Sequence, residues 1–385
     1  MTNPIAPPPK RHKKTNCPPH VFNVLSSLPD EIVVSVLARI PRSYYRSICL
    51  VSKSFYSLLS SPEMYAVRSE IGATEPRLYV FLRGRIPFTK KNNSWFTLMG
   101  SAFNLRLKPV SLSSTYAPAR FNSTTVSVGF EIYHIGGTVL HRSKAVGVLD
   151  CRYGTWRRIP NLIVARKYPK SCFLDGKIYV IGGVEAEESS MKNWGEVFDI
   201  KLQTWMPFPS PSDYIGVVDP NYQVVVFGAR LYVITKHNNY AYDPKQGRWL
   251  PPDVGLVGLA EVVINRPFCV IENVFFAECG GKYKWYDSRY GMWIMVENLE
   301  SLYCFRRGVE TISLVNHGGK LVIMCYAPLS RFYKRVLGQS KNIMYGVIRL
   351  AFLGTHIRGE LENWDIIERR VPKSCKLLAC LSVSL

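Results

Sequence analysis

The 385-residue sequence has no run of about 18 consecutive apolar residues, and this absence excludes a membrane-spanning helix. Residues 1–20 include basic residues, but no apolar segment follows them, so they do not form a secretory signal. Cysteines of a protein without such a signal stay reduced. We therefore expect a cytoplasmic and/or nuclear protein without a membrane partner, whose 10 cysteines are mostly small apolar core residues.

Common catalytic and metal-binding signatures are also absent. The sequence has no G-x-S-x-G elbow, no phosphate-binding P-loop, no H-E-x-x-H and no C-x-x-C pair. Its 7 histidines are scattered, and His134 lies inside an apolar run, as is typical of a core or rim histidine. We therefore predict no catalytic residue, no metal site and no cofactor.

Basic residues outnumber acidic residues along the whole chain, giving a formal net charge of +21. Residues 1–22 contribute +4, residues 23–68 contribute +2, and the remainder contributes +15. A dispersed positive charge favours acidic partners and speeds encounters with them, but it does not by itself identify nucleic acid as a partner.

Three regions differ in composition. Residues 1–22 are Pro-rich and basic, with a basic cluster at 10–14 compatible with nuclear import, and are expected to be a disordered tail. Residues 24–71 show helix-start signals at 26–31 and 61–63 and an apolar helical face from Ile32 to Ile40. From residue 78 onward, short β-branched and aromatic runs separated by turn residues predict an all-β domain.

A repeat organises the β region. An Asp is followed six residues later by a Trp four times, whereas random placement of these residues predicts about 0.2 such pairs. The pairs are Asp150 with Trp156, Asp199 with Trp205, Asp243 with Trp249, and Asp287 with Trp293. The pattern predicts a strand, a tight turn and a second strand opened by a buried Trp, in small sheets that stack radially.

Two resemblances follow from these motifs. Diglycine pairs after the apolar runs make the repeats similar to kelch repeats; they are Gly136 and Gly137, Gly182 and Gly183, and Gly280 and Gly281. The segment 24–71 resembles an F-box through Leu28-Pro29-Asp30-Glu31-Ile32 and Leu50-Val51-Ser52-Lys53-Ser54-Phe55. The order of the two regions resembles the plant F-box/kelch-repeat family.

This resemblance implies an α+β multidomain fold, in which a short all-helical F-box (24–71) is followed by an all-β kelch-type propeller (76–371). Trp95 and Trp364 bring the number of Trp-marked units to six and favour six blades, while five or seven remain open. Residues 372–385 are expected to form a C-terminal tail.

The function implied by the resemblance is recruitment of a target protein for ubiquitin transfer. F-box proteins bind a Skp1-type adaptor, which joins them to cullin and RING subunits, and the propeller binds the target. The chain would then be a non-catalytic substrate receptor. The alternatives are a kelch interaction scaffold that does not bind the adaptor, a propeller enzyme and a basic nucleic-acid-binding protein.

We expect apolar residues of the F-box segment to bind the adaptor, because helices this short bury little within the segment itself. The candidates are Leu28, Pro29, Ile32, Leu37, Ile40, Leu50, Val51 and Phe55. In one alternative these residues only pack onto the propeller. In another the segment is a helix-turn-helix, and Arg39, Arg42, Arg46 and Lys53 contact phosphate.

The target-binding site is expected on the propeller face where the loops between second and third strands emerge together with the connections between blades. The candidates there are Arg331, Phe332, Tyr333, Lys334 and Arg335 in one loop, and Arg157 and Arg158 after Trp156. We interpret them as a basic, aromatic-bearing surface for an acidic target. Solvated loops of a basic protein are the alternative interpretation.

Overall fold

The computed structural model describes residues 28–84, 93–100, 105–110, 122–138, 141–184, 193–211, 221–250, 256, 258–300, 302, 310–328 and 340–385. The predicted tail 1–22 and the predicted target-binding residues Arg331 to Arg335 lie outside them. The chain divides into two compact units, Met1–Glu75 and Pro76–Leu385, which are described separately below. Within the described ranges, no helix is long and apolar enough to cross a membrane.

Short helices make up the described part of the first unit. They are α1 (Asp30–Ala38), a 3₁₀ turn (Arg42–Tyr44), α2 (Tyr45–Cys49), α3 (Lys53–Leu59) and α4 (Pro62–Glu70). Ser52 and Ser61 cap α3 and α4, because each hydroxyl accepts a hydrogen bond from the backbone N–H three residues later, at 3.1 and 3.3 Å. These caps mark where α3 and α4 begin.

The described residues of the second unit form six four-stranded antiparallel blades, which confirms the predicted fold class and the favoured number of blades. Blade 1 consists of β24 (Lys376–Ser384), β1 (Pro76–Arg83), β2 (Asn93–Met99) and β3 (Arg106–Pro109). Blade 2 consists of β4 (Thr124–Val128), β5 (Glu131–Ile135), β6 (Val146–Asp150) and β7 (Thr155–Arg158). Blade 3 consists of β8 (Lys170–Leu174), β9 (Lys177–Ile181), β10 (Gly195–Asp199) and β11 (Thr204–Phe208).

The other three blades follow in chain order. Blade 4 consists of β12 (Gln223–Phe227), β13 (Arg230–Ile234), β14 (Asn239–Asp243) and β15 (Arg248–Trp249). The short helix α5 (Leu259–Val263) precedes blade 5, which consists of β16 (Phe268–Ile271), β17 (Val274–Cys279), β18 (Lys282–Asp287) and β19 (Met292–Met295). Blade 6 consists of β20 (Glu310–His317), β21 (Lys320–Pro328), β22 (Ser340–Leu353) and β23 (His356–Pro372).

The core of the propeller lies between the blades. Among the described residues, each of the six interfaces between neighbouring blades contains one apolar cluster. In β1, Leu78, Val80 and Leu82 pack toward blade 6, whereas Tyr79 and Phe81 pack toward blade 2. Because both faces of a blade are buried, its second strand reads as a continuous apolar run instead of an alternating one.

The C-terminal strand closes the ring, which corrects the prediction that 372–385 form a tail. β24 is the first strand of blade 1 and pairs antiparallel with β1, from Pro76 opposite Ser384 to Arg83 opposite Lys376. It also contacts β4 of blade 2 and β20 of blade 6. The sequence did not indicate this strand, because its partner lies at the other end of the domain and it has no Asp–Trp signature.

The Asp–Trp repeat forms the hairpin between the third and fourth strands of blades 2 to 5. Each Asp carboxylate accepts a hydrogen bond of 2.9 Å from the backbone N–H two residues later. Trp156 is buried as predicted. Trp205, Trp249 and Trp293 are half-buried, and each indole N–H donates to a carbonyl in the connection that precedes its own blade.

Two of the diglycines permit close backbone contacts. A Cβ on Gly137 would lie 2.4 Å from the Asn122 carbonyl oxygen, and one on Gly183 would lie 2.6 Å from the Lys167 carbonyl oxygen.

Trp95 and Trp364 lie in different strands of their blades. Trp95 lies in β2, the third strand of blade 1, whereas Trp364 lies in β23, the fourth strand of blade 6. Trp95 is therefore not the counterpart of the repeat Trp residues.

Replacing Val383 by Asp tests ring closure. Val383 is buried in the cluster between blades 1 and 2, so Val383→Asp would bury a charge and should cost roughly 3 kcal/mol or more of unfolding free energy. Ser384→Asp, at the neighbouring and exposed residue of β24, is the control and should change the urea midpoint little. Equal stability of the two variants would contradict this role of β24.

His317 makes the closed ring sensitive to acid. It lies in β20, and its Nδ1 is 3.0 Å from the Ser382 hydroxyl of β24. Burial, with a smaller effect of Lys320, lowers the His317 pKa to about 4. Because the unfolded state binds the proton at about pH 6.5, the stability that neutral His317 contributes is lost as the pH falls from about 6.5 toward 4.

We therefore expect His317→Gln to flatten the decrease of unfolding free energy between pH 6.5 and 4.5. The change in slope should approach one proton. Urea unfolding at a series of pH values measures it, and His141→Gln, at an exposed histidine, is the control. A His317→Gln slope equal to that of the wild-type protein would contradict the assignment.

Candidate functional site

The helical unit has its own small core, which uses one side of α1. Val33, Val34, Leu37 and Ala38 pack together with Leu59 of α3 and Met64 of α4. These positions follow the three- and four-residue spacing of one helix face. The opposite side of α1 is consequently free to present side chains to solvent.

Large apolar side chains remain exposed outside this core. Ile32 and Val36 lie one turn apart on α1, and about half of each side chain is exposed. Leu50, in the turn between α2 and α3, is 88% exposed. The full set within residues 28–59 is Leu28, Ile32, Val36, Tyr44, Leu50, Val51 and Tyr56. Apolar exposure of this extent on a small helical unit indicates a protein-contact surface.

The structure divides the eight predicted adaptor residues into three groups. Leu28, Pro29, Ile32, Leu50 and Val51 are exposed, while Ile40 and Phe55 are half-buried against the helical core. Leu37 is only 6% exposed, which corrects its assignment to the surface, because it lies four residues after Val33 on the buried side of α1.

Sequence reasoning missed three exposed apolar residues of this surface, namely Val36, Tyr44 and Tyr56. The signal for Val36 was its position four residues after Ile32, which places both on one helix face. No comparable local pattern distinguished Tyr44 or Tyr56 from core residues.

A buried arginine fixes the helices that carry this surface. Arg68 is 1% exposed, and its guanidinium donates to the carbonyls of Ala38 and Ile40 at 2.9 Å each, to the Ala73 carbonyl, and to Glu75 Oε1 at 2.9 Å. Glu75 Oε1 also accepts from the backbone N–H of Arg42 at 2.8 Å. One side chain thus joins the end of α1, the 3₁₀ turn and the residues after α4.

On the propeller, the loops between second and third strands share one face with the connections between blades, as antiparallel strand order requires. The connection from blade 2 to blade 3 is held by a buried ion pair, in which Arg166 Nε donates to Glu196 Oε1 at 2.9 Å. Arg166 also donates to the carbonyl of Gly182 at 2.7 Å. Burial lowers the Arg166 pKa, and Glu196 opposes that effect, so Arg166 acts as a structural cation.

The predicted target-binding residues within the described ranges are Arg157 and Arg158. Both are exposed and lie in β7, the outer strand of blade 2, and not in the connection that follows it. Arg157 donates to Glu131 Oε1 at 2.8 Å, and this ion pair partly neutralises the Arg157 charge.

His134 is a core residue, as its position in an apolar run predicted. It is fully buried, its Nε2 lies 2.5 Å from the Ser123 hydroxyl, and its ring packs against Phe81, Trp95 and Trp156. In the part of the chain that the structure describes, no group of three or more His, Cys, Asp or Glu residues is arranged to hold a metal ion.

The chain combines a small helical unit that exposes apolar residues with a six-bladed propeller. Comparison with known proteins specifies both. The F-box domain profile matches residues 25–66, and the profile of the FKB95 kelch-repeats domain matches residues 89–367, more than half of the chain.

Full-length relatives agree with these matches. The chain is 51% identical to the F-box/kelch-repeat protein At4g35120 of Arabidopsis thaliana, over 98% of each chain. It is 37% identical to the Arabidopsis F-box/kelch-repeat protein At4g19870, over 100% of each chain. The F-box/kelch-repeat protein At5g39560 of the same plant is 35% identical, over 100% of this chain and 98% of the relative. The chain belongs to the plant F-box/kelch-repeat protein family.

Replacing Arg68 by Leu should destabilise the F-box by about 3 kcal/mol or more, because several buried acceptors lose their donor. Hydrogen exchange of the full chain would show faster exchange for peptides within 30–75 and unchanged exchange in the propeller. Arg46→Leu, at an exposed arginine of α2, is the matched control. Unchanged protection in Arg68→Leu would contradict the role of this side chain.

Proposed function

We propose that this chain is the substrate-recognition subunit of a Skp1–cullin–F-box ubiquitin ligase. In this proposal the F-box binds the Skp1-type adaptor, and the propeller binds the target protein. The observation that carries it is the set of exposed apolar residues on the F-box, above all Leu50 at 88% exposure with Val51 beside it. A partner surface that covers these side chains would remove them from water.

The proposed contribution of the chain is proximity. Through the adaptor, the F-box connects the chain to the cullin and RING subunits, while the propeller holds the target in the same assembly. Binding both partners raises the effective concentration of the target near the ubiquitin donor and limits its orientations. In this proposal no side chain of the protein takes part in bond making or breaking.

We place target binding on the propeller face that carries the loops between second and third strands. Arg331, Phe332, Tyr333, Lys334 and Arg335 remain predictions for this site, because they lie outside the described residues. Arg157 and Arg158 remain secondary candidates, since they lie on the outer strand of blade 2 and Arg157 is paired with Glu131.

Titration of the full chain with a Skp1-type adaptor tests the proposal. Leu50→Ala/Val51→Ala should weaken binding about 30-fold or more, because both exposed side chains would be buried at the interface. Leu202→Ala truncates a leucine that is also largely exposed but lies on the propeller, and it should leave the affinity unchanged.

Two results would count against the proposal. The first is a wild-type chain that is folded by circular dichroism and yet gives no heat of binding with the adaptor, which would favour the interaction scaffold. The second is an equal loss of affinity in Leu202→Ala, which would show that binding does not use the F-box surface.

A further inference from the structure

Closure of the ring brings together basic residues that are far apart in the sequence. At the junction of blades 6 and 1, Lys341 is the second residue of β22, Lys376 begins β24, and Lys373 lies in the connection between blades 6 and 1. Arg83 ends β1 directly opposite Lys376. These four residues, here called the junction cluster, lie at the same edge as the loops between second and third strands.

The junction cluster is held in place by Tyr326. Its hydroxyl donates to the Cys375 carbonyl at 3.2 Å and accepts from the Leu377 N–H at 2.6 Å, which fixes the turn that carries Lys376. The Lys341 ammonium lies 3.2 Å from the centroid of the Tyr326 ring. Burial raises the Tyr326 pKa to about 12, so the phenol remains neutral. Tyr326 thus fixes the backbone next to Lys376 and packs its ring against the Lys341 ammonium.

Like charges meet in the junction cluster. Arg83 and Lys376 are like charges directly opposite each other in the ring-closing ladder, a pairing that destabilises a sheet. Burial lowers the Lys341 pKa; Cys375 and Glu310 oppose that effect, and the nearby Lys376 and Lys373 make smaller contributions in the same direction as burial. A bound anion would relieve this repulsion.

Two acidic groups lie near the cluster. Glu310, in β20, acts on Lys341, and Glu368, in β23, acts on Cys375, which lies between Lys373 and Lys376. By sequence, segments 85–92 and 329–339, which follow β1 and β21 in the chain, contain six basic residues and no acidic residue. By contrast, Arg166 near blade 3 is paired internally with Glu196. At the blade 6–1 junction, however, cations from three strands and one connection are brought together.

We propose that the junction cluster binds an acidic segment of the target protein, a stretch of carboxylate or phosphate groups read by Lys341, Lys373, Lys376 and Arg83. The proposal rests on the receptor function above and specifies its partner. A short acidic segment matches the size of a cluster confined to one blade junction. A nucleic acid, with charge continuing along its backbone, would call for an extended basic stripe.

The test uses the full chain and two fluorescein-labelled dodecapeptides, one rich in Asp and Glu and one carrying phosphoserines. Fluorescence anisotropy at 50 and 150 mM salt should show binding of at least one peptide and identify which anion is preferred. Lys373→Glu/Lys376→Glu should weaken that binding by about tenfold or more. Lys→Arg replacements at the same two positions keep the charge and should retain it.

The matched control is Lys201→Glu/Lys245→Glu, which makes the same change in net charge at exposed turns between third and fourth strands on the opposite face. It should change affinity by less than about twofold. Lys376→Glu places an opposite charge across from Arg83, so the melting temperature of the junction variant should not fall, and a loss of binding would not reflect unfolding.

Equal weakening in the control would reduce the effect to net charge and overturn the proposal, as would failure of both peptides to bind at 50 mM salt. Tighter binding of a single-stranded RNA oligonucleotide than of either peptide, abolished in the junction variant, would assign the cluster to nucleic acid instead. Adaptor titration of the same variants separates the two proposals. Peptide binding that needs the junction in a chain without adaptor affinity would overturn the receptor function alone.

Discussion

The antiparallel ladder between β24 and β1 is the interaction on which the propeller depends. Every blade has two apolar faces, and each face is buried only if a neighbouring blade lies on it. β24 contributes to the clusters on both sides of blade 1, through Cys380 toward blade 6 and Val383 toward blade 2. Without this strand two interfaces would lose part of their apolar contacts, and the ring would open to water at blade 1.

Closure has a second consequence, because it decides which charged residues become neighbours. Arg68 and Arg166 are buried and donate to carbonyls and carboxylates, so they hold helices and connections in place. The junction cluster differs, because its lysines are brought together by the ring and two of them are exposed. The net charge of +21 does not distinguish buried structural arginines from the lysines of the junction cluster, whereas burial and hydrogen-bond partners do.

In the F-box, apolar residues are divided between the helical core and the exposed surface. α1 has only nine residues, yet it uses one side for the helical core and leaves Ile32 and Val36 exposed on the other. A unit this small does not bury all of its apolar side chains, and those left over are the material for a partner interface. Arg68 orders the supporting helices without taking part in that surface.

The sequence by itself determined the Asp–Trp hairpins, the diglycine turns and the helix start at 61–63. Each of these depends on hydrogen bonds or backbone angles within a few residues, so spacing alone reveals it. Only the tertiary structure decided that 376–384 form a blade strand, that Leu37 is core while Val36 is surface, and that Lys341, Lys373, Lys376 and Arg83 meet. These outcomes depend on pairing and burial between distant segments, which local sequence patterns do not encode.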